Sequence, residues 1–385
     1  MKKRVLVVTY AGGHLNITLP VVEKLRTYPD IECLFLSTPF ASVSLRKRRV
    51  GHVTFEDLAD PSAVELGMKY AEEIHDEKRG VRLSESIAYA GVALRDLMSY
   101  YGPEQAELLY SSFGRRIFFP SESLAYYMQS KAIDCVVVTN TSARAERAAI
   151  HAAHTLGIPS VAIEDLFGTA CAYSIRDRLI VCEPSTRDTL VAMGVPSDVI
   201  DIGDIRKSFT VSEYHTGISD YIGINYKIFP SAIVAMSSTV RDNLVQRRVP
   251  RDIIHVLGQP AFDRLNSYFS SACRKSDYIL LTTQPLRTNV DVIRSVLSAK
   301  KYYRNHQLII RPHPSTDGQL ERMLVQDYGG HAQVISDGDS GYWISNAALV
   351  ITEASTTGVE ALYLDRPVMV LNFSGREPLI PIASS

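Results

Sequence analysis

The sequence predicts an α/β protein made of two parallel-sheet units. Short β-branched runs alternate with amphipathic helical stretches along nearly the whole chain, the pattern of parallel strands covered by helices on both faces. At 385 residues the chain exceeds one core of ordinary size. A Gly/Pro break at Gly258-Gln259-Pro260 separates two series of strands. Residues 1–260 and 261–385 are therefore expected to fold as two domains facing each other across a cleft.

In the first series, strands are expected to begin at Arg4, Ile31, His52, Asp134, Pro159, Arg178, Ala232 and Ile253. The second series comprises Tyr278–Thr283, Gln307–Arg311, Ala332–Ile335, Ala348–Thr352 and Pro367–Phe373. Between Pro61 and Lys131 the alternation stops, and several helices rich in Tyr, Leu and Ala are expected as an insertion that shapes one wall of the cleft. Within it Arg115-Arg116-Ile117-Phe118-Phe119 reads either as a buried helix start or as a peripheral membrane contact. One unit recurs: Arg187-Asp188-Thr189-Leu190-Val191 with Val195-Pro196, then Arg241-Asp242-Asn243-Leu244-Val245 with Val249-Pro250, each between two apolar runs. This is a strand-helix-strand element used twice, too few copies for a solenoid.

Charge is almost balanced, with 41 Lys plus Arg against 42 Asp plus Glu, so the whole chain offers no electrostatic footprint for nucleic acid. The cluster Arg46-Lys47-Arg48-Arg49 reads as a solvated helix end. Five dispersed cysteines, Cys33, Cys135, Cys171, Cys182 and Cys273, read as reduced residues of a cytoplasmic protein. No apolar run approaches the roughly 18 residues that span a bilayer.

The residues able to do chemistry follow strand ends. Tyr10-Ala11-Gly12-Gly13-His14 succeeds the first strand and precedes a helix expected to open near Leu19-Pro20. Gly12 and Gly13 let a ligand approach the backbone, and the helix N-terminus offers N–H groups to an anion. His14 at that edge is expected to titrate near neutrality and to serve as a base, or else to hydrogen-bond the loop. Glu164-Asp165 ends the strand from Pro159 and supplies a second candidate base. Asn140-Thr141-Ser142 lines the same edge.

In the second half, Thr352-Glu353-Ala354-Ser355-Thr356-Thr357-Gly358-Val359-Glu360 joins a strand end, a hydroxyl turn and a helix start. Ser355, Thr356, Thr357 and the backbone N–H groups are placed to hold a diphosphate, and Glu360 to accept from two ribose hydroxyls. A capping box would account for one hydroxyl and the glutamate alone. Arg311-Pro312-His313-Pro314 ends another strand in a loop stiffened by two prolines. His313 is placed to stabilise charge on a departing nucleotide, with Arg311 assisting or engaged in an ion pair. Asp337-Gly338-Asp339 is expected to cap the next helix and not to bind metal.

These residues resemble the two-domain GT-B glycosyltransferases and the UDP-GlcNAc 2-epimerases that share their fold. The Gly-Gly-His turn is similar to a first loop of such transferases. Val136 to Ser142 and Ile163-Glu164-Asp165 resemble two epimerase strands, and Arg311–Pro314 with Thr352–Leu362 and Asp365-Arg366-Pro367-Val368 resembles the donor-binding half of both. The resemblance implies a GT-B-like chain with two Rossmann-like domains, an acceptor-binding half and a nucleotide-sugar-binding half. It implies a metal-independent, cofactor-free transfer of a sugar, from a donor expected to be UDP-linked, to an acceptor hydroxyl.

Under the resemblance the catalytic group is His14, Glu164, Asp165 and His313; the donor group is Gly12, Gly13, Arg311, His313, Ser355, Thr356, Thr357 and Glu360. Asn140 and Thr356-Thr357 depart from the epimerase pattern of an aspartate and a Gly-Gly pair. A 2-epimerase, and a CMP-sugar transferase of the sialic acid or Kdo type, remain alternatives. The acceptor, whether glycan, lipid-linked glycan, small molecule or modified nucleic acid, is left open.

Overall fold

Each sheet forms because β-branched runs leave no polar face to expose and must be covered on both sides. The computed structural model describes residues 2–10, 12–139, 144–165, 179–181, 184–192, 197, 200–202, 228–246, 249–271, 277–314, 316–353 and 355–373. The chain divides into two compact units, Met1–Ala261 and Phe262–Ser385.

The first unit contains strands β1 (Lys3–Thr9), β2 (Ile31–Ser37), β3 (Cys135–Val138), β4 (Ser160–Ile163), β5 (Leu179–Val181), β6 (Ile200–Ile202), β7 (Ala232–Ala235) and β8 (Ile254–Val256). Six of them make a parallel sheet in the order β2-β1-β3-β4-β7-β8. Strand β1 is an interior strand, with Val7 opposite Phe35 on one side and Val137 on the other, and Leu6, Val7 and Val8 fully buried. The two copies of the repeat part company here. The second supplies β7 and β8 to this sheet, whereas β5 and β6 of the first pair with each other in a sheet of their own.

Two expectations are corrected. Helix α1 spans Gly13–Leu25, so Pro20 lies inside it and not in its first turn. The helix starts early because Gly12, at φ 58°, turns the chain directly into it, and Pro20 then forgoes one helical N–H bond. The strand expected from His52 is only a bridge between Val53 and Leu36. Thr54 accepts from the Glu56 backbone N–H while Asp57 accepts from that of Thr54, and this capping box converts Phe55–Asp57 into a helical turn.

Helix α2 (Pro39–Lys47) leads into the expected helical insertion: α3 (Pro61–Ile74), α4 (Leu83–Tyr101), α5 (Pro103–Phe113) and α6 (Ser121–Ser130). The insertion has its own core of Phe55, Tyr89, Leu94, Leu97, Leu109, Tyr110 and Phe118. Ile117, Phe118 and Phe119 are buried, so the apolar run after Arg116 is core and not a membrane contact. Helices α3 and α4 approach so closely that a Cβ on Gly67 would lie 2.0 Å from the Ile87 carbonyl oxygen, and one on Gly91 1.7 Å from that of Ala63. After the insertion come α7 (Arg144–Thr155), which packs on β3 and β4, α8 (Pro184–Ala192) and α9 (Ser238–Gln246).

The second unit has strands β9 (Tyr278–Thr282), β10 (Gln307–Arg311), β11 (Ala332–Val334), β12 (Leu349–Thr352) and β13 (Val368–Val370), all parallel, in the order β11-β10-β9-β12-β13. Helices α10 (Asn289–Ser298), α11 (Gln319–Asp327), α12 (Ser340–Ser345) and α13 (Thr356–Tyr363) cover it. Strand alternation divides the core: Ile279, Leu281, Leu308 and Ile310 pack on α10 and α11, and Leu280, Ile309 and Val350 pack towards α12 and α13. Among the described residues no helix is long and apolar enough to cross a membrane. Cys33 and Cys135 are free thiols, while Cys171, Cys182 and Cys273 lie outside the described residues.

Because backbone atoms block both glycine positions, Gly91→Ala is expected to destabilise the chain by about 1–3 kcal/mol, and Gly67→Ala similarly. Equilibrium urea unfolding of each variant against the native chain checks this.

Candidate functional site

In the first unit β1 lies between β2 and β3, so chain connections leave it in opposite directions and open a crevice at the C-terminal edge, where α/β sheets receive ligands. Four chain segments bring polar groups there. His14 comes from the first turn of α1, Thr139 from the end of β3, Glu146 from the first turn of α7, and Glu164 and Asp165 from the end of β4.

Glu146 is fully buried and collects donors from all sides. It accepts from the Tyr10 backbone N–H at 2.9 Å and from the Thr139 hydroxyl at 2.9 and 3.0 Å, and His14 Nδ1 lies 3.1 Å from its Oε1. The other ring nitrogen, Nε2, faces Asp165 Oδ2 at 3.4 Å. Burial alone would lower the pKa of His14, but the charges of Glu146 and Asp165, the hydrogen bond to Glu146 and the charge of Glu164 overcome it and raise it to about 9. The expectation that His14 titrates near neutrality is thereby corrected: the raised value favours the imidazolium at pH 7, between Glu146 and Asp165.

Gly12 and Gly13 form the entry to α1, and a Cβ on either would meet nothing within 4 Å, so the backbone there is open to an approaching group. Both belong to the first unit. Asn140, Thr141 and Ser142 lie outside the described residues.

In the second unit β9 is the strand between two directions of winding, flanked by β10 and β12. Thr282 and Thr352 end these neighbouring strands with hydroxyls 3.0 Å apart. Ser355 is the N-cap of α13, its hydroxyl accepting from the Thr357 backbone N–H at 3.2 Å. Glu360, five residues beyond the cap, is too deep in the helix to close a capping box. It pairs instead with Arg264, Nη2 to Oε1 at 2.8 Å. Burial raises the pKa of Glu360 and the Arg264 charge opposes that rise. Thr356 is exposed and Thr357 half-buried at the helix start.

His313 follows β10 at the same edge of the sheet. Burial lowers its pKa, which makes it a neutral imidazole near pH 7. Arg311 is turned to other use: Nη1 and Nη2 donate to the carbonyls of Asp337 and Gly338 at 2.6 and 3.1 Å, and its guanidinium lies over Trp343. Its donors fix the Asp337–Asp339 turn. Asp339 caps α12 by accepting from the Gly341 N–H at 2.7 Å. Among the described residues no group of three or more His, Cys, Asp and Glu side chains could hold a metal ion.

Sequence reasoning misses Glu146 and Arg264. Glu146 carries a usable signal, an acidic residue in the first turn of a helix that follows a strand end. Arg264 carries none, since only the folded unit brings it to Glu360.

No protein-family model matches the chain, and no curated protein sequence matches it. Solved structures do. A co-structure of S. aureus MnaA with UDP covers 96% of this chain with 79% of its own, at 12% identity and a TM-score of 0.55. The UDP-GlcNAc 2-epimerase from Neisseria meningitidis, bound to UDP-GlcNAc, covers 96% with 82% of its own, at 16% identity and a TM-score of 0.54. The fold is GT-B-like. At these identities the likeness concerns the arrangement of the chain and extends to two Rossmann-like units in one polypeptide.

His14 has a folded-state pKa above its ordinary value of 6.5, so its contribution to stability is complete below about pH 6.5 and is lost as pH rises through about 9. Imidazole NMR titration is expected to give a midpoint near 9 in the native chain. Glu146→Gln should bring that midpoint down by at least about one unit and flatten the alkaline fall in melting temperature. A native midpoint at the ordinary value would refute the cluster.

Proposed function

We propose that the chain is a nucleotide-sugar enzyme, specifically a glycosyltransferase that moves a sugar from a UDP-linked donor to an acceptor hydroxyl. The observation that carries this reading is the buried cluster in which Asp165 and Glu146 flank the His14 imidazolium at the crevice of the first sheet. Transfer to a hydroxyl requires one base, and Asp165 is the group in the cluster suited to it: an ionised carboxylate can take the acceptor proton at neutral pH, which a protonated His14 cannot. His14 orients that carboxylate and offsets its charge.

The second unit supplies the features a nucleotide diphosphate needs. The N–H groups at the start of α13, with the Thr356 and Thr357 hydroxyls, suit a diphosphate. Glu360, oriented by Arg264 through one oxygen, keeps Oε2 for ribose hydroxyls. Neutral His313 can donate one N–H to a phosphate oxygen as charge builds on the leaving nucleotide. The UDP and UDP-GlcNAc held by proteins of the same fold support this choice of nucleotide. We assign no metal to the reaction.

A second reading, a nucleotide-sugar 2-epimerase, is favoured by the solved relatives in fold and by the presence of an acid, His14, beside a base, Asp165. The two readings separate on one assay. Under the first, a UDP-sugar incubated alone is unchanged and an acceptor is required; under the second, NMR of the donor alone shows a new C2 epimer.

In a thermal-shift panel of UDP, GDP, CDP, CMP and dTDP, UDP is expected to raise the melting temperature of the native chain and to lose that effect in Glu360→Ala. No shift with any nucleotide would sink the proposal. Asp165→Asn is expected to lower kcat by about 10²–10⁴-fold while leaving the UDP shift in place. Activity should persist well below pH 9 instead of rising through it.

A further inference from the structure

A pocket in the first unit lies beside the cluster and is used by none of the steps above. It is lined by Tyr10, Thr38, Phe40, Tyr89, Arg115 and Arg144, with further apolar and hydroxyl walls. Its electrostatics are unbalanced. Arg4, Arg46 and Arg95 of the same unit each face a carboxylate: Glu32, Glu85 and Asp60. Among the described residues Arg144 faces the neutral hydroxyls of Tyr89 and Tyr10 and no carboxylate, and its buried Nε meets no acceptor. Tyr89, only 7% exposed, has a hydroxyl that forms no hydrogen bond of ordinary geometry. At the mouth, Arg115 and Arg79 both lie over the Phe40 ring, at 5.9 and 5.6 Å.

A half-buried cation with no carboxylate facing it among the described residues carries a cost, and a buried donor atom without an acceptor adds to it. Both costs vanish if a ligand brings the anion. A carboxylate or phosphate seated here would accept from Arg144 Nε and from the Tyr89 hydroxyl, and Arg115 would draw it in. The pocket also has a fixed relation to the chemistry. Tyr10 forms part of its wall, lies 5.7 Å from the His14 ring and donates its backbone N–H to Glu146. Arg144 precedes Glu146 by two residues on α7.

We propose that this pocket binds a negatively charged group, a carboxylate or a phosphate, on the molecule that receives the sugar, so that the acceptor is an anionic small molecule or glycan end. The assignment rests on the transferase reading, since an epimerase has no acceptor. The pocket serves recognition and touches no reacting atom.

The test uses glucuronate, glucose 6-phosphate and glucose as probes at constant ionic strength, with binding read by calorimetry on the full chain. One of the two anionic sugars is expected to bind saturably where glucose does not, and which one binds separates the carboxylate from the phosphate source. Arg144→Gln should weaken that binding roughly tenfold or more, the loss expected for a charge-assisted hydrogen bond. Arg115→Gln, altered at an exposed residue, should weaken it less, and Glu360→Ala should leave it unchanged. Circular dichroism melting confirms that each variant is folded, and if Arg144→Gln is not, Arg115→Gln together with Tyr89→Phe replaces it.

Equal binding of all three sugars, no binding of either anionic one, or anion binding indifferent to these substitutions would overturn the proposal. The UDP shift is read separately. UDP binding without anion binding rejects the pocket and spares the nucleotide-sugar reading; the converse rejects that reading and leaves an anion site.

Discussion

The arrangement of the first unit's crevice depends on one buried carboxylate, Glu146. An ionised carboxylate with no solvent must find several donors or give up its charge. Among the described residues Glu146 finds three, and each comes from a different piece of chain: the backbone after β1, the hydroxyl at the end of β3, and the imidazole in α1. Its position in the first turn of α7 adds the favourable end of a helix dipole. The same contacts fix where β1, β3, α1 and α7 meet. Removing the charge would release the turn before α1, the orientation of His14 and the relation of His14 to Asp165 together.

The second unit solves a similar problem with less charge. Hydroxyls dominate its crevice, Thr282 against Thr352, Thr283 against Glu321, and Ser355 on the N-terminus of α13. Arg264 sits between Glu360 and Asp339, at 2.8 and 3.5 Å, and so ties the helix that follows β12 to the cap of the helix that precedes it. Arg311 performs the corresponding task on the turn before α12. Cations in this unit hold loops in shape, and the N–H groups and hydroxyls are left facing the open edge.

Strand positions were legible because a parallel sheet demands runs of apolar β-branched residues, a strong local signal. The exception, after His52, shows the limit: an extended apolar-polar run was overruled by a capping box whose residues, Thr54 and Asp57, were visible in the sequence and outweighed by pattern. Candidate site residues could be read because chemistry gathers at strand ends, and His14, Glu164 and Asp165 do meet. Their protonation could not be read. It depends on Glu146, brought to His14 across 132 positions of sequence. The carbonyl partners of Arg311 could not be read for the same reason, since they are defined only once β10 lies beside the turn before α12.

The helical insertion has a cost in time. Strand β1 can pair with β2 as soon as the first 37 residues exist, but its other neighbour, β3, ends at Val138. During synthesis at about 5–20 residues per second the open edge of β1 waits roughly 5–20 s for that partner. An apolar edge strand exposed for that long is a template for pairing with the wrong chain. The insertion's own core shortens the effective loop that must close over the 130 positions separating Arg4 from Asp134. Early collapse of the insertion thus shortens the time for which the edge of β1 stays open to a wrong partner.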